Sequence, residues 1–295
     1  MLLSNVCVKC YIHRAVSGIV IAANGSFVLF TYFRAFSNTS ILVMNKSLRK
    51  LKRTIHPKSL QKMLLRFTMK GNNVECPCCG SKFITFLPAG IQKRPNAACL
   101  KCGSLERHRN LWLYFKENPQ LFKSHTKLLH AAPEKIFSQY FLSRADVDYT
   151  AIDLEPDAYD YTVKTIAMDL TDLKFEDNSF DVIICSHVLE HIPNDSKAMQ
   201  EMHRVLKQDG WAIINVPVHQ ERATTFEDIT INDPKKQLEL FGQPDHVRIY
   251  GRDYVDRLQQ AGFKVEIINW PLHYDHNTRF KYGLKESEVI YLCRK

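Results

Sequence analysis

The sequence predicts an α/β fold, a mostly parallel and doubly wound sheet with helices on both faces, preceded by a small module held together by cysteines. Two observations predict it. Short apolar runs alternate with amphipathic segments from about residue 127 to the C-terminus, as expected of strand–helix–strand units. Upstream of these runs, two Cys-x-x-Cys pairs stand close together. With 295 residues, 45% of them hydrophobic, the chain has enough material for one large core.

The N-terminal segment, residues 1–43, shows no globular pattern. We expect it to be disordered or a non-native extension, because Met44 follows it. A membrane anchor is the alternative, since residues 15–33 are uncharged and Arg14 and Arg34 flank them; that length permits a marginal span. The positive charge downstream would then hold the C-terminal body in the cytoplasm, the compartment we expect in either case.

The basic character of the chain is concentrated in residues 44–70. This segment has nine Lys/Arg and no Asp/Glu. The net charge of the whole chain is +9, so the rest is close to neutral. Its pattern predicts amphipathic helices broken by Pro57. A solvated helix is the plain interpretation; contact with nucleic acid or with the inner face of a membrane is the alternative.

The cysteines predict a metal site. There are nine, an odd number, which argues against a secreted disulfide framework and for a reducing compartment. Two Cys-x-x-Cys knuckles are separated by 19 residues, and Gly80 and Gly103 directly follow them. Four thiolates suit a tetrahedral Zn²⁺ with no open position, hence a structural one. The predicted ligands are Cys76, Cys79, Cys99 and Cys102.

The elements of the α/β part follow from the apolar pattern. The predicted strands are 127–130, 148–153, 164–169, 180–186, 211–218, 263–269 and 288–293. The predicted helices are 104–117, 134–144, 194–206 and 251–261. The last two strands are predicted to pair antiparallel. Ser104 is a candidate cap for the first helix. That helix begins with the charge run "ERHR", which usually marks a solvated face but here is placed to close over the site.

At "FDVIICSHVLEHI" and "RVLKQDGWAIINVPV" the chain resembles the class I S-adenosylmethionine-dependent methyltransferases, type 11-like. The knuckles with "CGSLERHR", "LHAAPE" and "FGQPDHVRIYGRDY" resemble a bacterial subgroup with an N-terminal four-cysteine zinc ribbon, some of it near glycan synthesis. The resemblance covers about residues 125–295. It implies a Rossmann-like, doubly wound, seven-stranded sheet with the last strand antiparallel. The predicted domains are a zinc ribbon with linking helix at 71–117 and a methyltransferase domain at 118–295.

The resemblance implies where S-adenosylmethionine binds. Asp153, which ends the second strand, would hold the ribose hydroxyls, and Asp169 would reach the adenine amino group. Ala131 and Ala132 stand where dinucleotide sites have glycine. This argues against NAD but not against a methyl donor that has no phosphate. The full predicted cofactor set is His130, Ala131, Ala132, Glu134, Asp153, Leu154, Asp169, Leu170 and Cys185.

Two polar clusters are candidates for the chemistry. The candidate general bases, which follow the fourth strand, are His187, Glu190 and His191; histidine titrates near neutrality. A dense polar stretch after the fifth strand suits a hydroxylated acceptor. Its candidate residues are Gln243, Asp245, His246, Arg248 and Tyr250.

The sequence therefore predicts a methyltransferase that acts on a small or glycan-like hydroxylated acceptor. One alternative is an RNA methyltransferase, with the knuckles and residues 44–70 guiding RNA; the absence of an "NPPY"-type motif counts against it. The other alternative is a binding module of the same fold without catalysis.

Overall fold

The computed structural model describes residues 65–295 and the backbone of two short strands, β1 (Ile19–Ile21) and β2 (Phe27–Leu29), which pair antiparallel. These strands belong to one compact unit and residues 65–295 to another. The rest of the predicted extension, and most of the basic segment up to residue 64, lie outside the described residues. No helix within the described part is long and apolar enough to cross a bilayer.

Residues 126–294 build a sheet of seven strands, and every predicted strand is found. Its members are β7 (Thr126–Ala131), β8 (Val147–Asp153), β9 (Thr165–Ala167), β10 (Phe180–Ser186), β11 (Leu206–Asn215), β14 (Lys264–Ile268) and β15 (Ile290–Arg294). The order across the sheet is β14-β15-β11-β10-β7-β8-β9. The five strands β7 to β11 pair parallel, and β15 is antiparallel to both of its neighbours. This confirms the doubly wound fold with an antiparallel last strand.

The strand order reverses between β7 and β10. From β7 the chain moves outward through β8 to β9, then returns to β10 on the other side and continues to β11. A crevice forms at such a switch point, outside the carboxyl ends of the strands, because the flanking connections diverge to opposite faces. The fold therefore places the ends of β7, β8 and β10 around one opening.

Apolar side chains of the central strands alternate between two cores. Leu129 and Ile183 point to a core that helix α3 (Asp195–Val205) covers. Leu128 and Ile184 point to the opposite core, where α1 (Glu106–Glu117) and α2 (Lys135–Leu142) pack with several aromatic rings. A strand covered on both faces has a continuous apolar sequence, which is why "VIIC" in β10 was recognisable.

The cysteine-rich module has two small antiparallel hairpins. The hairpin strands are β3 (Lys70–Glu75) with β4 (Lys82–Phe83), and β5 (Leu87–Ala89) with β6 (Arg94–Ala98). They enclose a separate small core that includes Val74, Phe83 and Phe86. The chain then enters α1 directly. The module and the sheet are thus joined by one continuous helix.

Three helices complete the fold around the last strands. The predicted helix 251–261 is found as α5 (Tyr254–Gln260). Two helices were not predicted, α4 (Pro234–Phe241) and α6 (His276–Tyr282). Both are short and end at a glycine in the left-handed region, Gly242 and Gly283. A further hairpin, β12 (Phe226–Glu227) with β13 (Arg248–Ile249), fixes the long insertion after β11.

Candidate active site

A cleft of about 890 Å³ opens at the switch point. Its walls come from the ends of β7, β8 and β10, from the loop after β9 and from the start of α1. Nine of the predicted cofactor and catalytic residues line it: Ala131, Ala132, Glu134, Asp153, Leu154, Asp169, Leu170, His187 and His191. The predicted acceptor residue Asp245 lines it as well. The structure therefore brings most of the predicted site residues to one cleft.

The bend after β7 takes a backbone conformation that normally requires glycine. Ala132 has φ of +47°, and its N–H donates a 2.9 Å hydrogen bond to the carbonyl oxygen of Ile152 on β8. For an alanine, this left-handed conformation costs about 1–2 kcal/mol. Strain of this kind persists where surrounding structure enforces it, often at functional sites. The small side chain leaves the backbone open to the cleft.

Asp153 presents its carboxylate at the end of β8. The carboxylate oxygen Oδ1 accepts a 2.8 Å hydrogen bond from Glu155 N, and Oδ2 accepts one of 2.7 Å from the Tyr161 hydroxyl. An ionised carboxylate accepts about four hydrogen bonds, so capacity for a diol remains. Tyr161, which was not among the predicted site residues, orients this carboxylate and also lines the cleft.

Asp169 lies on the loop after β9, on the same side of the cleft. Its Oδ1 accepts hydrogen bonds from both the backbone N and the hydroxyl of Thr171, at 2.7 and 2.8 Å. No partner of Oδ2 is present among residues 65–295. Met168 and Leu170 flank it with apolar side chains. The Asp169 carboxylate can accept a hydrogen bond from an amino group, and the apolar side chains of Met168 and Leu170 can contact a flat ring.

Glu134 stands at the start of α2 and faces the cleft from the other side of the bend. Its Oε2 accepts a 2.9 Å hydrogen bond from Nε2 of His130, whose Nδ1 lies 2.9 Å from the Tyr149 hydroxyl. Burial opposes ionisation of Glu134, but His130 and nearby positive groups lower its pKa to about 2. His130 itself is fully buried and does not line the cleft. It was predicted to contact the cofactor, but the structure assigns it to holding Glu134.

The charge run "ERHR" at the start of α1 is not a solvated face. Glu106 is 6% exposed and pairs with Arg94. The His108 side chain is 12% exposed; its Nδ1 accepts from Leu105 N at 3.1 Å, and its Nε2 lies 3.8 Å from Glu134 Oε1. Burial lowers the pKa of His108 to about 3, so the ring is neutral at pH 7.

Arg107 lines the cleft directly. Within residues 65–295 its guanidinium has no ion pair or hydrogen-bond partner, and its Nε is buried. In the same cleft wall, Glu134 Oε1 is also buried without a hydrogen bond. A buried polar atom without a partner costs free energy, so both atoms are suited to a ligand with a positive and a negative group. The interpretation that this run closes over the site therefore fits the structure, and the solvated interpretation does not.

The candidate bases surround the end of β10. His187 has φ of +57°, and its Nδ1 lies 3.2 Å from Glu190 Oε1. Glu190 is 1% exposed, and its other oxygen has no hydrogen-bond partner among the described residues. Burial opposes ionisation of Glu190, but His187 and His191 lower its pKa. Only His187 and His191 line the cleft; Glu190 lies behind them.

The predicted acceptor cluster divides in two. Asp245 and His246 lie beside His191: Nδ1 of His191 is 3.3 Å from Asp245 Oδ2, and the two imidazole rings pack edge to face at 4.7 Å. Arg248 and Tyr250, by contrast, are 1% and 0% exposed and do not reach the cleft. Gln243 is half-buried and is also absent from its walls.

Arg248 instead supports the loop that carries the histidines. Its guanidinium donates to the carbonyl oxygens of Leu189, Ile192 and Pro193 and pairs with Glu227. The Tyr250 hydroxyl donates a 2.7 Å hydrogen bond to Asp195 Oδ2. Prediction of these two residues as acceptor contacts is corrected by their burial: their polar atoms satisfy an internal network.

Cys185 requires the same correction. It was predicted to contact the cofactor. The structure places it, fully buried, in the core that α3 covers, and burial raises the pKa of its thiol well above the ordinary value. Alternation along the strand turns its side chain away from the opening, and Ser186 lines the cleft in its place.

The four predicted metal ligands converge in the cysteine-rich module. The Sγ atoms of Cys76 and Cys102 are 3.6 Å apart, those of Cys79 and Cys99 are 3.7 Å apart, and all four lie within 4.8 Å of one another. Sulfur atoms around a tetrahedral zinc are separated by about 3.8 Å. Both knuckles close in the same way, with Gly80 N and Gly103 N donating to the carbonyl of the first cysteine.

Ser104 has a different role from the predicted one. It does not cap α1; its hydroxyl oxygen lies 3.1 Å from Cys76 Sγ and 3.3 Å from Cys102 Sγ. Hydroxyl donors of this kind stabilise thiolates. Cys78, the additional cysteine of the first knuckle, is not part of the cluster, as expected.

Comparison with known proteins finds a match between part of this chain and one protein family. Residues 132–214 match the model of a methyltransferase domain family. An uncharacterized protein of Methanocaldococcus jannaschii is 42% identical over 106 residues, 36% of this chain and 40% of that protein. Demethylmenaquinone methyltransferase of Staphylococcus epidermidis is 37% identical over 101 residues, 34% of this chain and 40% of that enzyme. The aligned parts thus span about two fifths of these curated relatives.

Solved structures give similar matches. A crystal structure of an S-adenosylmethionine-dependent methyltransferase of Mesorhizobium loti matches with a TM-score of 0.44 and 14% identity, covering 63% of this chain and 98% of that one. The 1,6-didemethyltoxoflavin-N1-methyltransferase of Burkholderia thailandensis, solved with 1,6-didemethyltoxoflavin and S-adenosylhomocysteine, matches with a TM-score of 0.42 and 14% identity, covering 64% and 78%.

Proposed function

We propose that this chain, whose residues 132–214 match a methyltransferase domain family, transfers a methyl group from S-adenosylmethionine to a hydroxylated acceptor. One observation carries the proposal. A single cleft joins the small-residue bend at Ala131 and Ala132 to the carboxylates of Asp153 and Asp169. The bend gives close backbone approach, and the carboxylates accept hydrogen bonds at two points along an elongated ligand.

The residues fit the chemical groups of this cofactor. Asp153 would accept from the two ribose hydroxyls, and Asp169 from the adenine amino group between Met168 and Leu170. At the other end, the free guanidinium of Arg107 would pair with the carboxylate of the methionine moiety. The unpartnered Oε1 of Glu134 would pair with its ammonium. When bound, the sulfonium supplies a methyl group that is open to displacement by an aligned nucleophile.

The acceptor would enter from the end of the cleft lined by His187, His191 and Asp245. A carboxylate oxygen and imidazole nitrogens can accept a hydrogen bond, which suits a hydroxyl group that must lose a proton. We propose a small or glycan-like acceptor on this basis. Gln243 and His246 lie on the same insertion as Asp245.

We also propose that the four-cysteine cluster binds one structural zinc ion. The sulfur separations support it, and the Ser104 hydroxyl lies close enough to Cys76 and Cys102 to donate its one proton to either sulfur as an outer partner. With four thiolates, no position is open for substrate. The ion would fix the base of α1 and with it Arg107.

Calorimetric titration with S-adenosylmethionine tests the cofactor assignment. We expect saturable binding by the full chain and a loss of at least about 100-fold for Asp153→Ala, because two hydrogen bonds to a charged group, each contributing about 1.5–3 kcal/mol, would be lost. Arg107→Met should weaken binding of the same ligand to a similar degree. The matched control is Asp157→Ala, an exposed acid that does not line the cleft. Equal affinity in Asp153→Ala and wild type would refute the site.

Radiolabelled methyl transfer to separate glycan, lipid and RNA pools then tests the acceptor class. Incorporation into glycan or small hydroxylated compounds supports the proposal. Incorporation into RNA alone would favour the nucleic-acid alternative, and tight cofactor binding without transfer to any pool would favour the non-catalytic one.

A further inference from the structure

We propose that Glu190, His191 and His246 form a binding site for a divalent transition-metal ion beside the cleft wall at His191, and that this ion holds the acceptor hydroxyl. The three side chains come from two distant segments, the loop after β10 and the insertion after β11. Each offers one ligand atom, and these atoms lie within 4.8 Å of one another. Ligands of one ion stand about 3–3.5 Å apart, so small side-chain rotations complete the site.

The free atoms of these residues point to a missing partner. Oε1 of Glu190 is engaged by His187 at 3.2 Å, whereas Oε2 is buried and has no hydrogen bond within residues 65–295. Neither ring nitrogen of His246 has a hydrogen-bond partner in that same stretch. A 1%-exposed carboxylate oxygen without a donor is costly unless a cation or water satisfies it.

His191 has the arrangement that metal-bound histidines adopt. Its Nδ1 lies 3.2 Å from the backbone oxygen and 3.3 Å from Oδ2 of Asp245. A histidine that donates one N–H to an oxygen presents the other nitrogen as a lone-pair donor of fixed orientation. Nε2 is therefore the atom left to bind the ion, and Asp245 is its outer partner.

The surrounding backbone holds the two segments together. Val247 N donates a 3.0 Å hydrogen bond to Glu190 O, which places His246 next to the loop. The buried Arg248 donates to three carbonyls of the same loop, those of Leu189, Ile192 and Pro193. The site is thus supported by a rigid network rather than by a mobile surface.

Two imidazoles and one carboxylate leave coordination positions open, as catalytic sites require. A hydroxyl group that binds the ion becomes more acidic. In the transfer step, which rests on the proposed function, the hydroxyl proton leaves to solvent and the oxygen lone pair forms a bond to the methyl carbon. The carbon–sulfur bond breaks, and its electron pair remains on sulfur as a neutral thioether. No oxidant or reductant is needed.

Titration of the full chain with Mn²⁺, followed by the electron paramagnetic resonance signal of the free ion, tests the site. Mn²⁺ prefers oxygen and nitrogen ligands, so it discriminates against the four thiolates. We expect one saturable site per chain and about tenfold or greater weakening in His246→Ala. His273→Ala, which removes an exposed histidine outside the cleft, should bind like wild type. Glu190→Gln should weaken binding as His246→Ala does, with circular dichroism verifying that it folds.

Unchanged Mn²⁺ affinity in His246→Ala, or no saturable site in wild type, would overturn the proposal. Calorimetry with S-adenosylmethionine in the absence of added metal separates this result from the cofactor assignment. If no Mn²⁺ site is found but S-adenosylmethionine binds, only the metal proposal is refuted. If S-adenosylmethionine does not bind, the methyltransferase assignment is refuted and the Mn²⁺ result still stands.

Discussion

The Nη2 atom of Arg109 donates a 2.7 Å hydrogen bond to the carbonyl oxygen of Gly283, 174 residues away in the chain. The same guanidinium donates to Tyr282 O, Ala97 O and Ser104 O and lies 4.2 Å from the centre of the Phe86 ring. One side chain thus joins the cysteine-rich module to the C-terminal part of the sheet domain.

Replacement of this side chain should be strongly destabilising. Arg109→Met removes hydrogen bonds to four carbonyl oxygens and empties a buried site, so we expect a loss of about 3–5 kcal/mol in the free energy of unfolding. Urea denaturation measures it. The matched control is Arg294→Met, an exposed arginine with no side-chain hydrogen bond within residues 65–295, which should change stability by no more than about 0.5 kcal/mol. Similar values for both variants would contradict the role of Arg109.

Metal content should distinguish Cys79, a member of the four-sulfur cluster, from the neighbouring Cys78, which lies outside it. Elemental analysis should find one zinc ion per chain in wild type and in Cys78→Ser, and a loss of the ion in Cys79→Ser. Stability should fall in the latter, because binding of a structural metal contributes directly to folding. The opposite pattern, with zinc retained by Cys79→Ser and lost by Cys78→Ser, would show that the four-sulfur cluster is misassigned.

Two substitutions at the strained bend, Ala132→Gly and Ala132→Val, should change stability in opposite directions. Ala132→Gly should be neutral or stabilising by up to about 1 kcal/mol, since relief of the left-handed strain exceeds the added entropy of the unfolded chain. Ala132→Val should destabilise by roughly 2 kcal/mol and weaken S-adenosylmethionine binding, because a β-branched side chain disfavours this conformation and fills the cleft. Thermal unfolding and calorimetry measure the two effects. Wild-type affinity in the valine variant would show that the cofactor does not approach this bend.

The buried His108 should make the protein acid-sensitive. Its pKa in the folded state is lowered to about 3, against about 6.5 when unfolded. The unfolded state therefore takes up a proton as the pH falls below 6.5, and the folded state does not. Each pH unit between these two pKa values lowers the free energy of unfolding by about 1.4 kcal/mol. Stability should therefore fall by up to a few kcal/mol between pH 6.5 and 4.5.

This pH range isolates His108 from its neighbour. Glu134 has a folded-state pKa of about 2 and is ionised in both states above pH 4.5, so its contribution is lost only as the pH falls from about 4.5 toward 2. Urea denaturation at pH 6.5 and 4.8 should show a smaller loss for His108→Gln than for wild type. An equal loss in the two proteins would exclude His108 as the cause.

The sheet could be predicted from sequence because its evidence is local. Continuous apolar runs such as that of β10 require only burial on both faces, and Asp153 and Asp169 follow such runs directly. The helices α4 and α6 were missed because each is short and has few buried residues, so neither displays a helical apolar period.

The roles of the charged residues could not be read in the same way. Arg107, Arg109 and Arg248 look alike in sequence, yet one lines the cleft and two are buried. Their partners are carbonyl oxygens from distant segments, and a backbone carbonyl has no sequence signature. Likewise, the separation of Cys185 from the cleft depends on which face of β10 each side chain occupies at the strand end.

Helix α1 is shared by the cysteine-rich module and the cleft, and this limits how the protein can be divided. A fragment that begins after residue 117 would keep the whole sheet but lose Arg107, His108 and the anchor at Arg109. Such a fragment would lack one wall of the cleft, so it would be a poor minimal enzyme. Exchange of the module between homologous proteins would therefore transplant part of the cleft wall together with the four-cysteine cluster.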